Sequence, residues 1–264
     1  MSIESFFNNE WTEYSRVTPL AKRIHHLLTD LGEVVSNDHI ALRTIAHPGI
    51  GLEAFEDFFK EFGYQACGEY FFEDKRLRAI HLEAKNQPLI FISEFLYEDD
   101  HFSTFLQETI EDMIAACDGA TISELFSKRI YWQPSFSIYQ KLAKESEYAA
   151  WLYAWGFRTN HFTVSVNQLK AINTIEKVNQ LLKKNNFLLN ASGGEIKGHA
   201  SQGLVQSSTM ADKFSVQFME GQKEVPSCYY EFAQRFEVDG KLYTGFVPSS
   251  ADKIFESTDR IKSE

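Results

Sequence analysis

Two short stretches of the chain each place a histidine one or two residues after an asparagine. The stretches are Asn37-Asp38-His39-Ile40-Ala41-Leu42-Arg43-Thr44 and Thr159-Asn160-His161-Phe162-Thr163-Val164-Ser165-Val166. If the first is a strand, as its apolar residues indicate, alternation of side chains places His39 and Arg43 on one face. A metal-binding imidazole and an anion-binding guanidinium would then share that face. The second stretch repeats the pattern, so we interpret His39 and His161 as a pair.

A metal site built on two histidines calls for an acidic third ligand, and Glu231 is the candidate. It lies in the strand-like run Cys228-Tyr229-Tyr230-Glu231-Phe232-Ala233, where a lone carboxylate is costly to bury unless it is paired or ligated. Divalent iron, manganese and zinc accept imidazole and carboxylate ligands, and a three-ligand site leaves positions open for substrate. The alternative interpretation of Glu231 is an ion pair with Arg235 or Arg158.

Two further residues compete for this site or extend it. Glu94, in the run Phe91-Ile92-Ser93-Glu94-Phe95, is expected to hold the place equivalent to Glu231 in the first half of the chain, as a fourth ligand or a relic. His81, in a candidate strand, is the main competitor for an inward-facing site. The remaining histidines are interpreted as solvated, edge or loop residues: His25, His26, His47, His101 and His199.

Composition argues against several classes of function. The 264 residues include 26 basic and 37 acidic ones, and the formal net charge of −11 disfavours binding to phosphate backbones and anionic lipid. Cys67, Cys117 and Cys228 are scattered without a C-x-x-C motif, which argues against a disulfide scaffold and a thiolate zinc site. The sequence also lacks a nucleophile elbow, H-E-x-x-H, a dinucleotide fingerprint and a P-loop. We therefore expect no nucleic-acid or membrane partner.

The N-terminal residues bear on location. Met1 to Tyr14 have no cationic region followed by an apolar core, so no signal peptide is predicted, and no apolar run approaches the length of a membrane span. We therefore expect a cytoplasmic protein. No coiled-coil heptad is present, so the sequence leaves the oligomeric state open.

The apolar pattern predicts an α+β fold in a single domain of residues 1–264. Two copies of a β-α-β-β-β unit are expected at about 39–96 and 161–236, forming a curved sheet or half-barrel, with a helical insertion at about 99–157. Residues 1–17 show no clear period, and 247–264 are expected to end in a short helix. The other predicted elements are helices at 18–32, 51–62 and 167–186 and strands at 64–72, 77–82, 89–96, 187–192, 204–208, 214–219 and 228–236.

Five groups of residues carry a resemblance to a known family. They are Asn37-Asp38-His39 with Arg43, Asn160-His161-Phe162-Thr163, the turn from Ala191-Ser192-Gly193-Gly194 to Lys197-Gly198, Gln206 to Asp212, and Tyr230 to Arg235. Together they resemble a family whose characterised members are 2-oxoadipate dioxygenase/decarboxylases. The resemblance implies a vicinal-oxygen-chelate fold. It also implies that 2-oxoadipate and O2 are converted to 2-hydroxyglutarate and CO2 with ferrous iron.

Carried over residue by residue, the resemblance implies a set of site residues. His39, His161 and Glu231 match the iron ligands, and zinc, nickel and manganese are further metals that such a site accepts. Arg43 matches the arginine that grips a substrate carboxylate. Hydrogen bonds to substrate are expected from Gln206, Ser207 and Ser208. The characterised members are longer, with a C-terminal extension not found in this sequence.

Three hypotheses on function follow. The first is an iron-dependent dioxygenase acting on a 2-oxo dicarboxylic acid. The second is a protein that binds a small carboxylate or a metal without turnover. The third is a zinc or nickel lyase, isomerase or hydrolase on the same scaffold. For Arg43, the alternative to substrate binding is an ion pair with a buried acid such as Glu94.

Overall fold

The computed structural model describes residues 2–248 and 253–254. The chain divides into two compact units. The first contains the residues up to Glu10, Ala41–Thr159 and Phe214–Val225, and the second contains Trp11–Ile40, Asn160–Lys213 and the described residues from Pro226 onward. The expectation of a single domain stays a prediction. The C-terminal helix predicted at 247–264 lies mostly outside the described residues.

The elements are numbered in chain order. The helices are α1 (Ile3–Val17), α2 (Pro19–Asp30), α3 (Leu52–Lys60), α4 (Thr104–Ala116), α5 (Ile122–Lys128), α6 (Phe136–Glu145), α7 (Glu147–Trp155) and α8 (Ile175–Lys184). The strands are β1 (Asn37–Ile45), β2 (Gln65–Phe72), β3 (Leu77–Glu83), β4 (Leu89–Phe95), β5 (Thr159–Ser165), β6 (Lys197–His199), β7 (Leu204–Ser208), β8 (Lys213–Phe218), β9 (Gly221–Pro226), β10 (Glu231–Arg235), β11 (Glu237–Val238) and β12 (Lys241–Leu242).

The first copy of the repeat consists of β1, α3, β2, β3 and β4, as predicted. Its strands lie in the order β2-β3-β4-β1, and β3 pairs antiparallel with both β2 and β4. From Gly68 onward, half-buried residues alternate with exposed ones along β2, which is the edge strand of this order and ends in the buried Phe72. The apolar stripe of α3 is buried through Leu52, Phe55 and Phe59. The sequence period therefore gave both the element types and the buried face of α3.

The second copy consists of β5, α8, β6, β7 and β10. Its strands lie in the order β5-β10-β7-β6, with β10 parallel to β5 and antiparallel to β7. The first copy, read from β1 outward, has the order β1-β4-β3-β2. In both copies the first strand along the chain is therefore followed in the sheet by the fourth, the third and the second. The predicted duplication of the β-α-β-β-β unit is thus confirmed.

Two strands predicted for the second copy are wrong in place or partner. Residues 187–192 form a single isolated bridge, between Leu189 and Thr209, and the strand at this point of the copy is β6. The run at 214–219 does form a strand, β8, but it pairs with β9 in a separate hairpin. Gly221, with φ of +100°, follows the turn between them. Local apolar content predicts extended backbone, whereas the pairing partner depends on the turn that follows.

The helical insertion forms four helices, α4 to α7, all in the first unit. Two of these helices, α6 and α7, meet at Ser146, whose side chain caps α7 by accepting the N–H of Ala149 at 3.2 Å. Helix α7 packs on the sheet of the first copy. The buried hydroxyl of Tyr148, in α7, donates to the carbonyl of Ser93, in β4, at 2.6 Å. The helices predicted for the insertion are confirmed.

Residues 3–17, for which the sequence shows no clear period, form the helix α1. One of its buried positions is Glu10, which pairs with Arg129 at 2.9 Å. A carboxylate in the buried stripe obscures the apolar period of this segment. Helix α2 begins at Pro19 as predicted, but Thr18 provides no side-chain cap, and the carboxylate of Asp212 accepts the N–H of Leu20 at 2.9 Å instead.

Among the helices of the described residues, no segment combines the length and apolar character required to cross a membrane. This agrees with the sequence, in which no apolar run approaches membrane-spanning length.

Candidate metal centre

Three residues predicted as metal ligands converge in the second unit. His39 lies in β1, His161 in β5 and Glu231 in β10, and all three are buried. Their candidate ligand atoms lie within 4.8 Å of one another. The Nε2 atom of His161 is 3.2 Å from Oε2 of Glu231, and Nε2 of His39 is 3.5 Å from Oε1.

Strand pairing explains how the glutamate meets the histidine of β5. Glu231 is the register partner of Thr163 on the parallel strand β5 and of Ser208 on the antiparallel strand β7. Register partners project to the same face, and residues two apart on a strand also share a face. His161, two residues before Thr163, therefore projects on the same side as Glu231.

The residue before each histidine fixes the orientation of its ring. Nδ1 of His39 lies 2.8 Å from Oδ1 of Asp38, and Nδ1 of His161 lies 2.9 Å from Oδ1 of Asn160. Because a carboxylate or amide oxygen accepts, Nδ1 is assigned as the protonated nitrogen in both rings. Each Nε2 then carries a lone pair directed towards Glu231, which is the tautomer a metal requires.

Arg235 completes the support behind His39. Its Nε and Nη2 atoms donate to the two carboxylate oxygens of Asp38 at 2.8 and 2.9 Å. Burial alone would raise the pKa of Asp38, but the charge of Arg235 and the hydrogen bonds from His39 and Arg235 outweigh it and lower the pKa to about 2. Asp38 therefore stays ionised at neutral pH and holds the Nδ1 proton of His39.

Glu231 is also held in its charged form. Burial opposes ionisation, but the charge and hydrogen bond that His161 supplies when its imidazole is protonated, the charge of protonated His39 and the hydrogen bond from Gln206 together lower the pKa of Glu231. The side-chain amide of Gln206 donates to Oε1 of Glu231. The Oε1 atom of Gln206 is buried and has no hydrogen-bond partner among the described residues.

The donor set fits a divalent cation. Two imidazole lone pairs and a carboxylate oxygen that face one another repel unless a positive charge lies between them. Imidazole and carboxylate are the ligands that iron, manganese and zinc accept. The unpartnered amide oxygen of Gln206 is also available to an O–H donor, such as a metal-bound water.

Aromatic rings and one hydroxyl border the cluster. Tyr229 stacks on the ring of His161 with centroids 4.5 Å apart, and Phe246 meets the ring of His39 edge-on at 4.8 Å. The hydroxyl of Thr163 is 3.0 Å from Nε2 of His39 and can donate to it. These rings restrict the access of water and keep the imidazoles in place.

The predicted polar contacts from β7 fall on two different faces. Gln206 and Ser208 lie on the side of Glu231. Ser207 pairs with Phe232 and donates its hydroxyl hydrogen bond to Asn179 of α8 at 2.7 Å, so it faces the helix. The structure does not bring Ser207 to the cluster, because neighbouring residues of a strand project to opposite faces.

Arg43 lies in the first unit, and its guanidinium has local partners there. Its Nη1 atom is 3.1 Å from Oε1 of Glu147, and its guanidinium carbon lies 4.7 and 4.9 Å from the ring centres of Tyr148 and Trp151. The side chain is 1% exposed. The alternative ion pair with Glu94 is therefore wrong in its partner, since the carboxylate beside Arg43 is that of Glu147.

Glu94 is held as an ion-pair partner rather than placed with the histidines. Its Oε1 atom accepts from Nε of Arg78 at 2.7 Å, and its Oε2 atom accepts the N–H of Leu52, the first residue of α3, at 2.9 Å. The expectation that Glu94 holds the place of Glu231 is wrong, because Glu94 faces the helix of its copy whereas Glu231 faces away from α8.

The other competing residues have different partners. The ring nitrogens of His81 lie 2.8 Å from the hydroxyl of Tyr70 and 3.1 Å from the carboxylate of Glu83. Arg235 binds Asp38 and not Glu231. Nε of Arg158 donates to the carbonyl of Trp155 at 2.9 Å. Among the described residues, His39, His161 and Glu231 form a group of three possible metal ligands.

Several residues that support the cluster are not among the site residues predicted from the sequence. They are Asp38, Asn160, Thr163, Tyr229, Arg235 and Phe246. A signal for the first two was present, since an oxygen-bearing side chain directly precedes each histidine. Arg235 and Phe246 gave no such signal, because their partners are remote in the sequence.

The fold and the cluster together define the class of protein. Two β-α-β-β-β copies with two histidines and a glutamate on one strand face make an α+β protein with a candidate mononuclear metal site. The fold is shared with a solved structure from Ralstonia eutropha, a candidate member of the glyoxalase superfamily. The TM-score is 0.69 at 20% identity, over 89% of this chain and 82% of that one. The predicted fold class is confirmed.

The family follows from sequence comparison. Residues 91–241 match the family model of 2-oxoadipate dioxygenase/decarboxylase. The chain is 33% identical to the chloroplastic 2-oxoadipate dioxygenase/decarboxylase of Arabidopsis thaliana, over 98% of this chain and 79% of the relative. This chain belongs to the 2-oxoadipate dioxygenase/decarboxylase family, as its motifs predicted.

Two solved structures are similar over nearly the whole chain. The hydroxyglutarate synthase of Oryza sativa in complex with 2-oxoadipate has a TM-score of 0.90 at 33% identity, over 98% of this chain and 94% of that one. A candidate hydrolase from Shewanella frigidimarina has a TM-score of 0.87 at 46% identity, over 94% of this chain and 98% of that one. The resemblance predicts longer relatives with a C-terminal extension, whereas this chain covers 94% of the rice structure.

Proposed function

We propose that this chain is a mononuclear metal enzyme that oxidatively decarboxylates a 2-oxo dicarboxylic acid such as 2-oxoadipate. The reaction takes up one O2, releases CO2 and leaves the 2-hydroxy acid that is one carbon shorter. The observation that carries the proposal is the convergence of His39, His161 and Glu231 within 4.8 Å. The relatives named for this substrate are similar over almost the whole chain.

The proposed metal is ferrous iron, with His39, His161 and Glu231 as its protein ligands. When bound, the metal supplies a Lewis-acidic, redox-active centre with positions open for substrate and O2. Zinc, nickel and manganese suit the same ligand types and are the alternatives to be measured.

The surrounding residues keep the ligands ready for the metal. Asp38, fixed by Arg235, holds the Nδ1 proton of His39, and Asn160 does the same for His161. Gln206 orients the Glu231 carboxylate through its amide group. Partners of this kind typically affect metal affinity or activity by about 10- to 100-fold.

The proposed substrate contacts complete the site. Arg43, by the family resemblance, grips the distal carboxylate in a bidentate arrangement. Gln206 and Ser208 add hydrogen bonds from the side of β7 on which Glu231 lies. Since the chain has a formal net charge of −11, a dianionic substrate depends on local positive groups of this kind.

The proposal is tested by metal analysis followed by turnover. Protein purified without oxygen is assayed for iron, zinc, nickel and manganese, and an oxygen electrode then follows a panel of 2-oxo acids. We expect one divalent metal per chain and oxygen uptake that matches CO2 release with 2-oxoadipate. Metal binding without oxygen uptake would contradict the dioxygenase proposal.

The same samples address two alternatives. Hydrolysis of ester or amide substrates would favour the hydrolase hypothesis, towards which the name of the Shewanella relative points. Binding of a 2-oxo acid without turnover would favour the carboxylate-binding hypothesis. The proposal also includes a cytoplasmic location. The Arabidopsis relative is named chloroplastic, so fractionation of source cells is the test of this location.

A further inference from the structure

Gln206 has a buried hydrogen-bond acceptor beside the candidate ligands. It lies in β7 and is 2% exposed. Its side-chain amide donates to Oε1 of Glu231. Its own Oε1 atom is buried and has no hydrogen-bond partner among the described residues. A buried amide oxygen without a partner is destabilising, so this atom calls for a donor from a bound molecule.

The orientation of the amide follows from its partner. The oxygens of an ionised carboxylate only accept hydrogen bonds, so the atom of Gln206 that faces Glu231 is the amide nitrogen. The amide oxygen is bonded to the same carbon and lies ~2.2 Å from that nitrogen. Gln206 is also the register partner of Ala233, which shares a strand face with Glu231. The unpartnered oxygen therefore lies next to the Glu231 carboxylate, on the face that carries the cluster.

The candidate ligands themselves offer this oxygen no donor. With Nδ1 of His39 and His161 protonated towards Asp38 and Asn160, each Nε2 carries a lone pair. The carboxylate of Glu231 is likewise an acceptor. A donor that meets the Gln206 oxygen must therefore belong to a molecule bound at the cluster.

A 2-oxo dicarboxylate and the corresponding 2-hydroxy acid differ in one such donor. At neutral pH the oxo acid has only acceptor oxygens, whereas the hydroxy acid has one O–H on the carbon next to its carboxylate. The Gln206 amide has two N–H groups, and the one not used by Glu231 can donate to either acid. Its oxygen can form a hydrogen bond only with the hydroxyl.

We propose that the amide oxygen of Gln206 accepts a hydrogen bond from the 2-hydroxyl group, which makes Gln206 a determinant of affinity for the 2-hydroxy acid product over the 2-oxo acid substrate. This inference rests on the proposed function, since it places both acids at His39, His161 and Glu231. A site that bonds a hydroxyl disfavours the analogue without it, because the buried acceptor then stays unpaired. The 2-hydroxy acid is consequently a product inhibitor. The competing role of Gln206 is limited to holding the Glu231 carboxylate.

The test compares two ligands that differ only at the second carbon, on protein loaded with ferrous iron under argon. Dissociation constants are measured by calorimetry for 2-hydroxyglutarate and 2-oxoglutarate, and the metal content of each sample is measured alongside. In Gln206→Met, the affinity for 2-hydroxyglutarate should fall about 3- to 10-fold more than that for 2-oxoglutarate, the range for one neutral hydrogen bond. Gln202→Met, at an exposed glutamine of the same unit, is the matched control and should change neither constant.

A change in the ligand covers the case in which Gln206→Met loses its metal or does not fold. The ether 2-methoxyglutarate keeps the oxygen on the second carbon but has no O–H to donate. The unaltered protein should bind this ether more weakly than 2-hydroxyglutarate, by about 3-fold or more. Equal affinity for the two ligands would overturn the inference.

Three outcomes separate this inference from the proposed function. Equal weakening of both acids in Gln206→Met, or unchanged binding of both, overturns the hydroxyl contact, while oxygen uptake by the unaltered enzyme still supports the proposed function. Selective weakening of the hydroxy acid without any oxygen uptake by the unaltered enzyme supports the role of Gln206 and overturns the dioxygenase. Failure of the unaltered metal-loaded protein to bind either acid overturns both.

Discussion

The two copies of the repeat each bury a glutamate in the strand that closes the copy, and the two carboxylates have different surroundings. Glu231 of β10 and Glu94 of β4 are both 1% exposed. Glu231 meets two imidazoles and the amide of Gln206. Glu94 meets the guanidinium of Arg78 and the first N–H of α3. The same residue type is thus a candidate ligand in one copy and an ion-pair partner in the other.

The difference comes from the face of the sheet on which each carboxylate lies. Ser207, next to Ser208, contacts α8, so Glu231, paired with Ser208, faces away from that helix. Glu94 accepts from the N-terminus of α3 and so faces the helix of its own copy. A strand has a period of two, so a shift of one residue reverses the face. An arginine-paired carboxylate has its charge compensated, whereas one between neutral imidazoles remains available for a metal.

The largest effect is expected at Glu231. Glu231→Gln keeps the size of the side chain but removes its negative charge, so the protein should lose its divalent metal. The loss of affinity should exceed ~100-fold, above the range for residues that only support a ligand. Metal content by mass spectrometry of purified protein checks this. Stoichiometric metal in this variant would abolish the distinction between the two copies.

The histidines of the second unit give the next test. His161→Ala should remove the metal while leaving the fold largely intact, because the imidazole supplies a ligand atom beside Glu231, whereas β5 keeps its backbone pairing with β10. Metal content and far-ultraviolet circular dichroism are measured together. His25→Ala, on α2 and outside the cluster, is the control. Metal content as in the unaltered protein would show that the cluster is not the metal site.

Substitutions of Arg43 test whether a residue of the first unit binds the substrate. Arg43→Ala should keep the metal and lose ~1.5–3 kcal/mol of binding free energy for the diacid, and Arg43→Lys should recover only part, since the forked geometry is gone. Metal content, melting temperature and 2-oxoadipate binding are measured. Full metal, normal melting and unimpaired binding would show that Arg43 is not the anchor.

A structural role for Arg43 gives a different pattern. Its contacts with Glu147, Tyr148 and Trp151 would be lost, so the melting temperature would fall without selective loss of diacid binding. Arg16→Ala, which removes an exposed arginine paired with Glu13 at 3.0 Å, is the matched control.

The support behind His39 predicts a pH dependence of stability. Arg235 and His39 lower the pKa of Asp38 from its ordinary 3.8 to about 2. A carboxyl group whose pKa is lowered by folding stabilises the fold above its ordinary pKa, and that stability is lost as the pH falls from about 4 to about 2. In metal-free protein, Asp38→Asn should cost ~2 kcal/mol at neutral pH and flatten the loss below pH ~4.

Urea unfolding at a series of pH values measures this contribution. Asp57→Asn, at a residue with 76% side-chain exposure, is the control and should leave the pH profile unchanged. An Asp38→Asn profile that follows the unaltered protein down to pH ~2 would mean that the Asp38 and Arg235 pair contributes nothing to stability.

The smallest effect is expected at Glu94. Glu94→Gln should keep the metal and lower the free energy of unfolding by ~1–2 kcal/mol, less than for a fully buried pair because the Arg78 side chain is 36% exposed. Glu53→Gln removes the exposed partner of the same arginine, 2.7 Å away, and should cost less than ~1 kcal/mol. Loss of metal in Glu94→Gln would place Glu94 among the ligands.

The sequence by itself determined the elements and the identity of the three candidate ligands. Period-two and helical apolar patterns gave the first copy, its helix α3 and the duplication. The ligands were recognisable because a histidine after an oxygen-bearing residue occurs in both copies. Glu231 was recognisable because it is a carboxylate in an apolar run, where an isolated charge is costly.

Tertiary structure decided which face each carboxylate uses and which charges pair. Alternation along β4 and β10 shows that neighbours oppose one another, but the covered face depends on where α3 and α8 pack. The pairing of Arg235 with Asp38 joins residues 197 positions apart, and no local pattern encodes it. Glu231 and Glu94 look alike in sequence because each is a carboxylate within an apolar run. The group that neutralises each charge is decided by the tertiary structure.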